Sequence, residues 1–319
     1  MPGLRETMAV GPNVNLRERR FAMLERKPNS AGAGVGVLFN PALTEFVTTH
    51  ADSLDYLSLI PDRSWVDHGP GSEQRFEELP EVYKTLREVS RTLPVAMHCI
   101  GMSICSADVF DEEYLSRLAA WRARHDCVWT SEHLSFSRSG SGHESNAAVA
   151  LPVPYDREML DLVSERVRIA QDRLGCPFLL ENSVNYFTFP DQEMTEAEFL
   201  NELTRRTGCH LLLDLHNVYT NAINHRFDPL SFLAALDLSQ VLEIHVAGGT
   251  SLMDFHIDSH TGPTPEGVWQ LLDFVAPRAM ALRGVTFEFH ESSWPLLRDQ
   301  GVLAELGRAR DALTHTHAC

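Results

Sequence analysis

No stretch of the 319-residue chain approaches the ~18 consecutive apolar residues of a membrane span, and the opening MPGLRETMAVGPNVNLRERR has no apolar core of the secretory kind. Both absences read as a cytoplasmic protein with no membrane partner. The six cysteines, Cys99, Cys105, Cys127, Cys176, Cys209 and Cys319, form no CxxC pair, which excludes zinc ribbons and thioredoxin-type sites and leaves reduced, mostly buried thiols. A phosphate-binding turn is also missing. Gly32, Gly34 and Gly36 run GxGxG rather than GxGxxG and lie in or before an apolar run, where small residues relieve crowding on a first strand. Positive charge is short: 27 Lys plus Arg against 44 Asp plus Glu give a formal charge of -17. The densest basic stretch, Arg17 to Lys27, is interleaved with Glu18 and Glu25, so nothing would hold a nucleic-acid backbone.

What the chain does have is 44% hydrophobic residues, enough for a compact core, and 15 histidines alongside the acid excess. Short β-rich runs alternate with stretches of helical period. The runs are Gly34 to Phe39, Leu54 to Ile60, Val95 to Ile100, Val128 to Phe136, Phe178 to Asn182, Leu211 to His216, Leu242 to Val246 and Val285 to His290. Between them lie amphipathic segments such as DEEYLSRLAAWRARH and DREMLDLVSERVRIAQDRLG, with acidic starts and Gly or basic ends. Eight strand-then-helix units predict a single (β/α)8 TIM barrel over residues 31–319, preceded by an N-terminal extension over 1–30. The polar, Gly-rich intervals after the second and fourth strands are expected to lie over the catalytic face, with Trp65, His68 and Arg138 as candidate substrate contacts.

Chemistry in such a barrel sits at the carboxyl ends of the strands. There the chain places His98, Glu132 with His133, Glu181 with Asn182, Asp214 with His216 and Asn217, His245, and Glu288. One strand-end His or Glu is usually a hydrogen-bonded structural residue. Six consecutive strands that each end an apolar run in an ionisable group are another matter, because burial is costly without a partner and several carboxylates at one mouth call for cations. Period two puts Asp214 and His216 on one strand face, and the same alternation in FHIDSHTGPTP lines up His256, Asp258 and His260 in an extended loop. Adjacent residues point apart. Cys99 therefore faces away from His98, and only one of Glu132 and His133 can join a cluster; Glu132 is the one taken here. The candidate ligands are His98, Glu132, Glu181, Asp214, His216, His245, Asp258, His260 and Glu288, enough for two or three metals of the Fe, Mn or Zn type.

The blocks MHCIGMSICSADVFDEEYLSRL, WTSEHLSFS, LLENSVNYFTF, RTGCHLLLDLHNVYTNAINHRFDP, IHVAGG, HIDSHTGPTPEGVW and TFEFHESSWPLL resemble, in order, the motifs of the DUF692 family. These are multinuclear non-heme iron-dependent oxidative enzymes that include the methanobactin biosynthesis enzyme. The resemblance implies a xylose-isomerase-like barrel holding two or three Fe ions (Fe2+/Fe3+), with O2 as co-substrate. It implies oxidation of residues, cysteine above all, in a ribosomally synthesised precursor peptide, and a partner protein that grips the peptide leader. The nine candidate ligands fall on the family's metal-binding motif positions, and no catalytic side chain beyond the ligands is implied. Asn182, Asn217 and Asn224 lie inside matched motifs as groups that orient ligands or substrate. The chain departs from the family after the second strand, where an acidic contribution comes from Asp62 or is absent, and again where Gly249 replaces a histidine usual after the seventh. From the residues alone, a metal-dependent sugar isomerase, a phosphodiesterase on the same barrel and a non-catalytic metal-binding protein remain open.

Overall fold

The computed structural model describes Leu16, Glu18, Arg20, Met23 and residues 32–140 and 146–315. Eight parallel strands close a barrel: β1 Gly34–Leu38, β2 Tyr56–Leu59, β3 Val95–Cys99, β4 Thr130–His133, β5 Phe178–Glu181, β6 His210–Asp214, β7 Val241–Ala247 and β8 Gly284–Glu288. Each pairs with its neighbours in the chain, and β8 closes on β1. All eight expected strands are present. Helices follow them in turn: α1 Thr44–Thr49, α2 Pro80–Val89, α3 Glu112–His125, α4 Arg157–Leu174, α5 Glu196–Thr207, α6 Leu215–His225, α7 Glu266–Val275 and α8 Trp294–His315, with a short helix Pro229–Ala235 after α6. No helix among the described residues is long and apolar enough to cross a membrane.

Local chemistry sets the helix boundaries. Asp111 and Asp156 cap α3 and α4 by accepting the Tyr114 and Met159 amides, and Thr195 with Glu198 forms a reciprocal capping box on α5. Gly175 and Gly208 end α4 and α5 in the left-handed conformation. On α4, Leu160, Val163, Val167, Ala170 and Leu174 recur at helical spacing and are buried. Each large apolar side chain so buried contributes roughly 1.5–3 kcal/mol.

Two apolar cores result. The larger lies between strands and helices. The smaller fills the barrel interior with Met23, Tyr56, Ala96, Val128, Trp129, Leu179, Leu212 and Leu242. Met23 belongs to the segment expected to be an extension, yet its side chain is part of this interior cluster. The glycines of β1 and β8 make room for Tyr56. A Cβ on Gly36 would lie 2.7 Å from the Tyr56 carbonyl oxygen and 2.9 Å from its ring.

Three differences from the sequence reading matter for the site. The fourth run breaks after His133, and Phe136–Arg138 pairs instead with Asn146–Leu151 in a separate hairpin. β6 stops at Asp214 and α6 starts at Leu215, so Asp214 and His216 do not share a strand face: Asp214 becomes the helix cap. The expected ladder after β7 is a hairpin, Thr250–Leu252 with Phe255–Ile257, and His260 follows it with a left-handed φ of 49°.

Because its Cβ would meet both backbone and ring of Tyr56, Gly36→Ala should cost about 1–3 kcal/mol of stability. A thermal melt reads this as a lowered Tm; an unchanged Tm would show that Tyr56 has room to move.

Candidate metal centre

Strand alternation and register build the site. On β3 and β4, His98 pairs with Ser131, and two residues on, His133 pairs with Glu181 of β5. Asp214 of β6 pairs with His245 of β7, and Ala247 with Glu288 of β8. Among the described residues these positions form two groups whose donor atoms lie within 4.8 Å of one another: His98, His133 and Glu181, and Glu181, Asp214, His245 and Glu288. Glu181 belongs to both. His98 Nε2 and His133 Nε2 stand 3.6 and 3.3 Å from Glu181 Oε2, while His245 Nδ1 stands 3.8 Å from Glu181 Oε1 and 3.5 Å from Glu288 Oε2.

The donor set fits a metal. Two ligands each ~2.1 Å from one tetrahedral ion lie roughly 3.4 Å apart, the range seen here. Glu181 Oε2, Asp214 Oδ2 and both ring nitrogens of His245 are buried without a hydrogen-bond partner among the described residues. Buried polar atoms left unpaired are costly, and three of these, Glu181 Oε2, Asp214 Oδ2 and His245 Nδ1, converge on one space, which marks where a cation would satisfy them. A third group adjoins through Glu288. His260 Nε2 lies 2.9 Å from Glu288 Oε1 and 2.8 Å from Asp258 Oδ1, and His216 Nδ1 lies 3.1 Å from the same Asp258 oxygen.

Of the nine expected ligands, eight thus gather in these groups and Glu132 does not. Its two oxygens accept the amides of Met102 (2.9 Å) and His133 (2.8 Å), while the neighbouring imidazole of His133 reaches Glu181. Glu132 pairs in register with Cys99, the residue already expected to face away from His98. Register between β3 and β4, which the sequence does not display, makes the choice. His256 also stays out, its ring set edge-on to Tyr219 at 6.0 Å. Glu243 was missed altogether. It is fully buried two residues before His245, a spacing that would have pointed to it.

The asparagines stand behind the candidate ligands. Asn182 exchanges hydrogen bonds with the backbone of Asp214 (2.8 and 3.0 Å), and Asn217 donates to the Asn182 carbonyl while its amide binds Asp214 Oδ1. Asn224 clamps the backbone of His256 from both sides, holding the hairpin that leads to Asp258. His98 Nδ1 pairs with the Ser131 hydroxyl at 2.9 Å, which aims Nε2 at Glu181. Gly249 has no room for a side chain because a Cβ there would fall on the His216 ring.

Charge is distributed unevenly. Burial, with His133 and His245 nearby, pushes His98 well below the usual imidazole range, leaving it neutral. Burial opposes charge on His133, yet Glu181 and Glu132 raise it to about 10. His245 and His260 are likewise raised against burial, chiefly by Glu288. Burial and then Glu288 and Glu181 push Asp214 well up, whereas His260 and His245 hold Glu288 well down despite burial. Burial also raises the Cys99 thiol, so no nucleophilic Cys/His pair forms at β3.

A cavity of about 380 Å³ leads off from His133 past Asp62, Ile100, Ser103 and Arg138. Asp62 accepts the Tyr114 hydroxyl, and burial raises its carboxyl to about 6. Arg138 pairs with Asp111 at 3.2 Å and borders a second cavity of about 550 Å³ containing Asp67, Arg75 and Phe110. Trp65 does not face either space: it is buried against Phe76 and Tyr114, correcting its expected place as a substrate contact. His68 is exposed and paired with Glu77 at 2.9 Å.

Fold and site together define a (β/α)8 barrel with a candidate metal centre at the carboxyl ends of its strands. The family model for the RiPP precursor modification enzyme MbnB/TglH/ChrH matches residues 33–314, and the chain belongs to that family, as its motifs implied. A UPF0276 protein of Caulobacter vibrioides is 37% identical over 248 residues, 77% of this chain and 83% of that protein. Another from Bordetella pertussis is 33% identical over 288 residues, 89% of this chain and 93% of its own length. Among solved structures, the IOLI protein with a bound zinc atom shares the fold, with a TM-score of 0.56 at 12% identity over 90% of this chain and 100% of that one.

His133→Ala should weaken binding of a divalent cation at least about tenfold, whereas Glu132→Ala, which removes the acceptor of two buried amides and the carboxylate 3.5 Å from His133 Nδ1, should lower the Tm and weaken binding less than His133→Ala does. Titration calorimetry with Zn2+ beside thermal melts checks both; the reverse pattern would restore Glu132 as the ligand.

Proposed function

We propose that the chain is a multinuclear non-heme iron enzyme that oxidises residues, cysteine first among them, of a ribosomally synthesised precursor peptide, with O2 as co-substrate. The observation that carries this reading is the buried carboxylate Glu181 shared between two donor groups, in a chain whose family modifies such precursors. His98, His133 and Glu181 would hold one ion, and Glu181, Asp214, His245 and Glu288 a second. Asp258, His260 and His216 offer a third position. Bound iron supplies the one-electron and oxygen chemistry that side chains lack. The protein's own part is to fix these donors and exclude water: His98, Glu181, Asp214, His245 and Glu288 are almost wholly buried, and no side chain is needed as a general base.

The cavity from His133 to Arg138 is where the peptide segment would lie, with Asp62 at its inner end. A partner protein that holds the leader belongs to this reading, as does a cytoplasmic location, with which the free cysteines Cys99, Cys105, Cys127, Cys176 and Cys209 agree.

Metal analysis of the purified protein with an oxygen-consumption assay on the precursor peptide tests the proposal. Iron and peptide-dependent oxygen uptake are expected, and Asp214→Ala or His245→Ala should abolish metal and turnover together. Zinc or manganese without oxygen uptake, or full iron content and turnover in either variant, would overturn it.

A further inference from the structure

A fully buried carboxylate, Glu243, stands one layer below the centre on β7, among groups that the proposed reaction does not use. Its Oε2 accepts Trp129 Nε1 at 2.6 Å and its Oε1 accepts the Thr286 hydroxyl at 2.6 Å. The Tyr56 hydroxyl lies 3.2 Å from Oε1 and 2.5 Å from Thr286. With one proton each, the two hydroxyls form a chain in which Tyr56 donates to Thr286 and Thr286 to Glu243. One lone pair of Oε1 is then left over, and what faces it is His245 Nε2, 3.5 Å away. The other ring nitrogen, Nδ1, faces Glu288 and Glu181. Neither nitrogen has a hydrogen-bond partner in this arrangement, so the ring has an acceptor on one side and a converging set of donors on the other.

We infer that Glu243 is a positioning residue for the metal centre: it receives the Nε2–H of His245 and so turns the Nδ1 lone pair toward the space shared with Glu181, Asp214 and Glu288. This rests on the centre holding metal. A neutral imidazole carries one N–H, and the nitrogen that meets an acceptor keeps it. A carboxylate behind a ligating histidine fixes both its tautomer and its orientation, and losing such a partner costs about 10–100-fold in metal affinity. Trp129 and Thr286 hold the carboxylate in turn, which gives the polar atoms of this otherwise apolar barrel layer a common purpose.

The test uses the full chain and Zn2+, a redox-silent probe. In the Zn-loaded wild type with 15N-labelled histidine, NMR should show His245 protonated at Nε2 and metal-bound through Nδ1. Glu243→Gln, nearly isosteric but uncharged, should bind Zn2+ at least about tenfold more weakly in a chelator competition, with the Tm of the metal-free protein within a few degrees of wild type. Wild-type affinity in Glu243→Gln overturns the inference alone. So does metal on Nε2 in the wild type, a result available even if the variant fails to fold. A wild type that takes up no metal overturns the inference together with the reading beneath it.

Discussion

Glu181 is the point on which the mouth of the barrel turns. It is buried, its two oxygens face three imidazoles, and Asp214 and Glu288 share one of its two donor groups. Placing so many carboxylates in a water-excluded space is unfavourable unless positive charge joins them. Burial pushes the carboxyls of Asp214 and Glu181 up toward their neutral form, while neighbouring carboxylates raise the imidazoles of His133, His245 and His260 toward their charged form, and both shifts reduce the excess of negative charge. A cation bound there would compete with protons for these groups, which would couple its binding to pH and to folding.

Everything around that space serves to hold it still. The inner candidate ligands His98, His133, Glu181, Asp214, His245 and Glu288 lie at or near the carboxyl ends of β3 to β8, and behind them Ser131, Asn182 and Asn217 fix rotamers and backbone. Below lies a layer in which the aromatic bodies of Tyr56 and Trp129 fill the barrel while their polar tips reach Glu243. Glycines on β1 and β8 make that filling possible. Above, the hairpins Trp65–Asp67 with Phe76–Glu78, Phe136–Arg138 with Asn146–Leu151, and Thr250–Leu252 with Phe255–Ile257 follow β2, β4 and β7 on the face where the donors converge.

Much of this was legible in the residues. Period and punctuation located all eight strands, and the strand-end rule found His98, Glu181, Asp214, His245 and Glu288, because fully buried parallel strands read as apolar runs with a sharp polar end. What escaped depends on information between strands rather than along them. Which of Glu132 and His133 faces inward is set by the register of β3 on β4. His216 reaches its place from the first turn of α6, since Asp214 ends the strand by capping the helix. Trp65 is an aromatic in a polar loop, a pattern shared by substrate contacts and by packed anchors, and only burial distinguishes them. Glu243 sits inside an apolar run and was passed over for the histidine beside it, although the same two-residue spacing that served elsewhere would have linked the pair.

The central claim is that the barrel mouth is one multinuclear centre joined through Glu181, and counting metal per chain in Glu181→Ala tests it most directly. Because that carboxylate belongs to both donor groups, the account predicts at least two bound metals per wild-type chain and the loss of both groups' metals from a folded variant. A variant that keeps the wild-type count, or a wild type that binds a single ion, would contradict it.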